Sequence, residues 1–156
     1  MNKQDGKPFG YFDENNREYV ITRPDTPRPW FNFLMNDDFV SLISNTGGGP
    51  SYYKDPRIYR LLRYRYRNVP HDRPGRYIYV RDNDTGEYWS STWAPVWAEG
   101  GKYLCRVGMN YQIIRYILND IVTSITYFVP QDRPTELWDF TIKNISENVR
   151  NLSTFS

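Results

Sequence analysis

Turn-forming residues interrupt this chain so often that no apolar pattern between them is long enough for an ordinary helix. Eleven prolines and ten glycines fall within 156 residues. The stretches they bound alternate or run apolar over a few residues, which is the period of strands. Residues 18–22 (Glu-Tyr-Val-Ile-Thr) follow a polar turn at Asp13-Glu14-Asn15-Asn16, giving a hairpin over residues 10–23. Asp82-Asn83-Asp84-Thr85-Gly86 separates two more strands, 77–81 and 87–91, and Asn119-Asp120 is a two-residue hairpin turn between 111–118 and 121–129. Further strands are expected at 39–44, 57–68, 135–143 and 149–155. In the second half of 57–68, Arg63, Arg65 and Arg67 alternate with Tyr64 and Tyr66. Residues 23–30 carry three prolines in an extended connector that neither a helix nor a central strand accepts.

The choice of apolar side chains agrees. Only Ala94 and Ala98 represent alanine, and Ile plus Val outnumber Leu by 20 to 8. β-Branched and aromatic residues fit a pleated, half-buried surface, whereas Ala and Leu are the better helix formers. Roughly ten short strands without intervening helices give an all-β, antiparallel β-sandwich. Residues 1–9 read as a leader and 10–156 as one domain. The final strand reaches the last residue with no closing turn, so the sandwich is expected to be truncated before it is complete.

Charge excludes little by itself. A net charge of +2 is a weak motive for binding nucleic acid or membrane, and neither is expected as a partner. The Arg-Tyr run places its tyrosines away from its arginines, which favours a buried aromatic face over a basic stacking groove. Cys105 is the only cysteine and His71 the only histidine. No internal disulfide can form, a metal site is not expected, and a reducing, cytoplasmic location follows. His71 reads as a turn residue. Asp82-Asn83-Asp84-Thr85-Gly86-Glu87 faintly echoes a calcium loop but has Trp93 at the twelfth position, so turn chemistry is expected there. Asp37 and Asp38 are adjacent, read as a solvated turn, and are not paired glycosidase carboxylates. No complete catalytic constellation is present. The candidate functional stretch is Asn45, Gly47, Gly48 and Gly49, followed by Tyr52 and Tyr53. Three glycines permit close approach to another surface, and tyrosine faces are common sugar partners. A plain flexible hairpin loop is the other reading of the same residues.

Several motifs in fixed order carry a more specific signal. Gly10-Tyr11-Phe12-Asp13, residues 18–30, and Ser41-Leu42-Ile43-Ser44-Asn45-Thr46 closely resemble the opening of the family 94 glycoside phosphorylases. Arg63-Tyr64-Arg65-Tyr66, Asp72-Arg73-Pro74-Gly75-Arg76-Tyr77-Ile78-Tyr79, Gly86-Glu87-Tyr88-Trp89-Ser90, Cys105-Arg106, Gly108, Tyr111 and Phe128-Val129-Pro130 continue the likeness. The resemblance implies the first part of an N-terminal super-sandwich that packs on a helical (α/α)6 barrel and helps form a homodimer. It implies phosphorolysis of β-linked oligosaccharides, with cellobiose or cellodextrins favoured. Inorganic phosphate would be co-substrate, with no cofactor and no metal. The catalytic acid and phosphate pocket lie on the barrel, so this chain is expected to hold no catalytic residue. A loop of the sandwich reaches the partner's active site, which points to residues 45–53. Pro50 and Val107 depart from the aromatic residue and the histidine that many relatives carry. A non-catalytic carbohydrate-binding module is the alternative reading.

Overall fold

A computed structural model describes residues 6–63 and 73–156. These residues hold thirteen strands and no helix. One sheet has six strands in the order β1 (Gly10–Asp13), β2 (Glu18–Ile21), β9 (Lys102–Val107), β10 (Tyr111–Leu118), β11 (Ile121–Phe128) and β12 (Leu137–Asn144). A second has four, in sequence order: β3 (Phe31–Met35), β4 (Phe39–Ser44), β5 (Ser51–Tyr53) and β6 (Arg60–Leu62). The third sets β7 (Tyr79–Asp82) between β13 (Leu152–Phe155) and β8 (Tyr88–Ser90). Every strand pair is antiparallel.

Alternation decides what each strand buries. Gln112, Ile114 and Tyr116 of β10 and Thr123, Ile125 and Tyr127 of β11 point inward and are buried, while their neighbours point out. They share one core with Leu34, Phe39 and Ile43 of the four-stranded sheet and with Ile78, Val80 and Trp89 around the three-stranded one. The two smaller sheets thus cover the inner face of the large one. Polar groups on that face reach across: Gln112 Nε2 donates to Ser44 O at 2.6 Å, and Tyr127 Oη to Arg76 O at 2.9 Å. A buried acceptor or donor left alone costs far more than a satisfied one, so these bonds fix how the layers sit.

The hairpins follow their turn residues. Asn119 and Asp120 have φ of 51° and 60°, the type I′ pattern, and Leu118 pairs with Ile121 across them. Asp82 is a turn residue: Oδ1 accepts the amides of Asp84 (2.9 Å) and Thr85 (3.2 Å), and Oδ2 takes the Arg150 guanidinium. Asp38 also sits in a turn, where Asn36 Oδ1 accepts the amides of Asp38 and Phe39.

Three strands go beyond the sequence reading. β3 was hidden because Phe31, Phe33 and Met35 are exposed apolar residues flanking the buried Leu34, so no polar alternation marks it. β9 sits centrally between β2 and β10 although it begins at Lys102 and carries Arg106. Its interior sites are Tyr103 and Cys105, an unobtrusive pair in sequence. β5 has only three residues. Of the expected strand 57–68, the described part begins only at β6, because residues 55–59 form a turn closed by Tyr59 N to Asp55 O at 2.9 Å. Tyr64, Arg65, Tyr66, Arg67, His71 and Asp72 lie outside the described residues. Phe9, placed in the leader, belongs to the fold: its carbonyl accepts Thr22 N at 2.8 Å and its ring meets Trp30 edge-on.

Two outcomes follow. Asp120→Gly relieves a left-handed conformation without touching the backbone bond from Ile145 N to Asp120 O, and should stabilise the chain by up to about 1 kcal/mol in thermal melts. The hydrogen bond from Arg150, reinforced by the turn amides, holds the Asp82 carboxyl below the usual carboxylate range. A depressed folded-state pKa gives stability that is present above about pH 4 and is lost as pH falls through the folded value. Asp82→Asn should therefore flatten the acid limb of a stability–pH curve while lowering stability at neutral pH.

Candidate functional site

The candidate segment joins β4 to β5, and its backbone is almost wholly buried from Asn45 to Gly49. Ser44 begins it as a turn former: Oγ accepts the amides of Thr46 (3.1 Å) and Gly48 (3.0 Å), and its own amide donates to Gly48 O at 2.8 Å. Asn45 is pinned through both its backbone and its side chain. Its amide donates to Trp30 O, its Oδ1 accepts Trp30 N at 3.1 Å, and its Nδ2 donates to Pro24 O at 3.1 Å. The proline-rich connector is thereby stapled to the loop. Tyr103 Oη donates to Asn45 O from the facing sheet.

Glycine is required here for a local reason. Gly49 has φ of +117°, and a Cβ there would lie 2.2 Å from Leu42 O. Gly47 has φ of +83°, with Arg76 O and Thr92 Cγ2 each 3.2 Å from the Cβ position. The close approach permitted by the triglycine is therefore made within the chain, against Leu42 and the 74–76 segment. Gly48 bridges Gly75, Gly49 N donates to Pro74 O at 2.9 Å, and Arg76 N donates to Gly47 O at 2.8 Å. The loop is a fixed element and not a flexible hairpin.

What fixes it is a buried guanidinium. Arg76 is 0% exposed, and the Glu136 side chain with which it pairs is 7% exposed. Nε donates to Glu136 Oε1 and Nη2 to Glu136 Oε2 (2.9 Å) and Ser41 Oγ (2.8 Å). Nη1 donates to Gly49 O (3.1 Å) and Leu42 O (3.3 Å). All five N–H groups of the fork thus meet acceptors, which is the condition for burying an arginine. Trp138 Nε1 adds a bond to Glu136 Oε1 at 2.7 Å. Neither Arg76 nor Glu136 was singled out by chemistry in the sequence. Arg76 sits just ahead of an apolar strand and Glu136 sixty residues further on, so only folding shows that they meet.

The two tyrosines part company. Tyr53 lies opposite Phe39, stacks edge-on with Tyr59 at 6.0 Å and packs against the core. Tyr52, half-buried, lies opposite Val40 on the outer face of the same sheet. Of the pair, Tyr52 is the one that lies on the outer face. Pro50 ends the buried stretch, and its carbonyl accepts the amide of Leu42 at 3.0 Å.

A second polar cluster lies at the other end of the large sheet. Glu18, buried, accepts Arg106 Nη1 at 2.5 Å and Tyr111 Oη at 2.7 Å. Asp13 also takes Arg106, at 3.2 Å. Hydrogen bonds from Asn16 first, then Arg106, hold the Asp13 carboxyl low, and the bond to Glu18 raises the Tyr111 phenol. Val107 borders this cluster in a shallow depression of about 650 Å³. Among the described residues no group of His, Cys, Asp and Glu has the arrangement of a metal centre. Cys105 is buried, and desolvation pushes its thiol up to about 12. It is a core residue and not a nucleophile.

Comparison with known proteins places these features in context. A family model described as "Glycosyl hydrolase 94, supersandwich domain" matches residues 17–156. The chain is 45% identical over 150 residues to an N,N'-diacetylchitobiose phosphorylase of Vibrio proteolyticus, covering 95% of this chain and 19% of that protein. It is 37% identical over 156 residues to a 3-O-β-D-glucopyranosyl-β-D-glucuronide phosphorylase of Paenibacillus borealis, covering 100% and 19%. To a solabiose phosphorylase of the same organism it is 33% identical over 149 residues, covering 95% and 19%. The chain thus spans about a fifth of the length of these curated relatives.

Glu136→Ala should strand the Arg76 guanidinium in the core and cost about 3–5 kcal/mol in chemical denaturation. Replacing both partners with apolar residues of similar volume should recover most of that loss, because no charge is then left buried.

Proposed function

This chain belongs to the glycosyl hydrolase 94 supersandwich family, and we propose that it is the N-terminal β-sandwich segment of an inverting glycoside phosphorylase. The observation that carries this reading is the match of nearly the whole chain to several phosphorylases. In the complete enzyme, inorganic phosphate attacks the anomeric carbon of a β-linked disaccharide. The glycosidic C–O bond breaks, an acid on a helical barrel gives its proton to the leaving oxygen, and an α-sugar 1-phosphate results. The barrel is the partner against which this sandwich packs. Phosphate is a co-substrate, and no cofactor is needed. The assembly is a homodimer, and the single cysteine suits the cytoplasm.

The role of the segment is structural and site-forming. Residues 45–53 form a rigid wall at the sugar-binding mouth of a partner subunit, with Tyr52 presenting its ring to the acceptor sugar. The clasp by Arg76 supports a wall over a moving flap, since closing and opening would break several buried hydrogen bonds. Cellobiose and cellodextrins remain candidate substrates. The 45% identity to a diacetylchitobiose phosphorylase puts N,N'-diacetylchitobiose beside them.

The test assays the longer polypeptide carrying this segment for phosphate-dependent release of sugar 1-phosphate from N,N'-diacetylchitobiose, cellobiose and cellodextrins. Release from one of them, with none from the 156-residue chain alone, is expected. Hydrolysis independent of phosphate would sink the reading. Tyr52→Ala should raise KM for the acceptor in the synthetic direction about five-fold, the equivalent of ~1 kcal/mol, and leave KM for the sugar 1-phosphate nearly unchanged. A fall in melting temperature with both KM values intact would make Tyr52 a packing residue only.

A further inference from the structure

β5 is only three residues long, yet it carries Tyr52. Its ladder to β4 sets Tyr52 opposite Val40 and Ser51 opposite Ser41. Its ladder to β6 shifts register between Ser51 and Tyr52. A shift of that kind interrupts the ladder locally and re-aims the side chain beside it. So short and irregular a strand leaves the direction of Tyr52 to whatever holds the chain just before it.

The holder is Arg76. Nη1 donates to Gly49 O at 3.1 Å, and Nη2 reaches Pro50 O at 3.4 Å. These are the two residues that lead into β5. Nη2 also donates to Ser41 Oγ at 2.8 Å, on the residue that faces Ser51 across the ladder. One fully buried guanidinium thereby grips both strands of the pair at the position next to Tyr52. Glu136 fixes the plane of the fork by accepting from both Nε and Nη2. A lysine would keep the charge, but its three donors sit on one nitrogen and cannot meet Glu136, Ser41, Gly49 and Leu42 at once. We propose that Arg76 is a positioning residue for the acceptor sugar: without touching the ligand, it sets where the Tyr52 ring stands. This rests on the reading of residues 45–53 as a wall of the acceptor site. It places a determinant of acceptor affinity behind that wall, inside the sandwich.

The experiment assays the longer polypeptide in the synthetic direction. Arg76→Lys should raise KM for the acceptor by up to about five-fold, the ceiling set by losing the Tyr52 contact altogether, and move KM for the sugar 1-phosphate much less. Ser41→Ala removes one acceptor from the fork and leaves Nη2 with Glu136 and Pro50 O. It should raise the same KM about two-fold. In the Tyr52→Ala background neither substitution should raise it further, because no ring is left to place. A general loss of stability does not produce that non-additivity. A further rise in the Tyr52→Ala background overturns the proposal. So does an acceptor KM unchanged by both Arg76→Lys and Ser41→Ala while Tyr52→Ala raises it, and the wall reading then stands without a role for Arg76. If Tyr52→Ala itself leaves the acceptor KM unchanged, the wall reading fails and the proposal fails with it. Where Arg76→Lys does not fold, Ser41→Ala decides the same comparison, with a thermal melt to check its fold.

Discussion

The Arg76 guanidinium is the centre to which three separate parts of the chain are tied. It holds the carbonyls of Leu42 and Gly49 and the hydroxyl of Ser41 on the four-stranded sheet, and the Glu136 carboxylate at the entry to β12. Its own backbone bonds Gly47 and accepts Tyr127 from β11. Burying a cation is costly unless all its donors are met. The fork therefore tolerates only one arrangement of these segments. That geometric demand, more than any net stabilisation from the ion pair, gives the triglycine loop a single conformation. Burial also pushes the Tyr127 phenol well up, so it stays a neutral donor to Arg76 O.

A loop fixed in this way changes what the glycines mean. Three in a row in sequence suggest freedom, and a site that folds over a ligand. Here they are the absence of Cβ atoms where Leu42 O and the 74–76 segment press against the chain. A preorganised wall loses no conformational entropy when sugar binds, whereas a flap must be ordered first. The loop delivers Tyr52 to the outer face of its sheet, where the proposed sugar contact would be made, while Tyr53 packs against the core.

Among the described residues, the two ends of the large sheet differ in chemistry. Near β1 and β2, Arg106 is shared by the carboxylates of Asp13 and Glu18 in a shallow polar rim. At β12, Trp138 and Ile142 on the inner face are 39% and 40% exposed. Arg150 ties the start of β13 to β7 and to the 119–120 turn through Asp82 and Asn119 O.

Local rules were legible in the sequence to the extent that local chemistry decides the outcome. The all-β class followed from β-branched and aromatic choice and from turn spacing. The Asn119-Asp120 hairpin, the Asp82 turn and the extended prolines of 23–30 followed from φ preferences and side-chain-to-backbone bonds spanning a few residues. Sequence motifs alone also pointed to the family. β3 and β9 escaped because exposed Phe31 and Phe33, and buried Tyr103 beside Lys102, break the expected alternation of polar and apolar sites. Their strand state comes from pairing with β4 and with β2 and β10. The pairing of Arg76 with Glu136, the burial of Asn45, Gly47, Gly48 and Gly49, and the separation of Tyr52 from Tyr53 lie wholly in tertiary structure. Those features depend on which distant segments share a desolvated space, and the cost of leaving a charge or a carbonyl unsatisfied there appears only once the layers have closed.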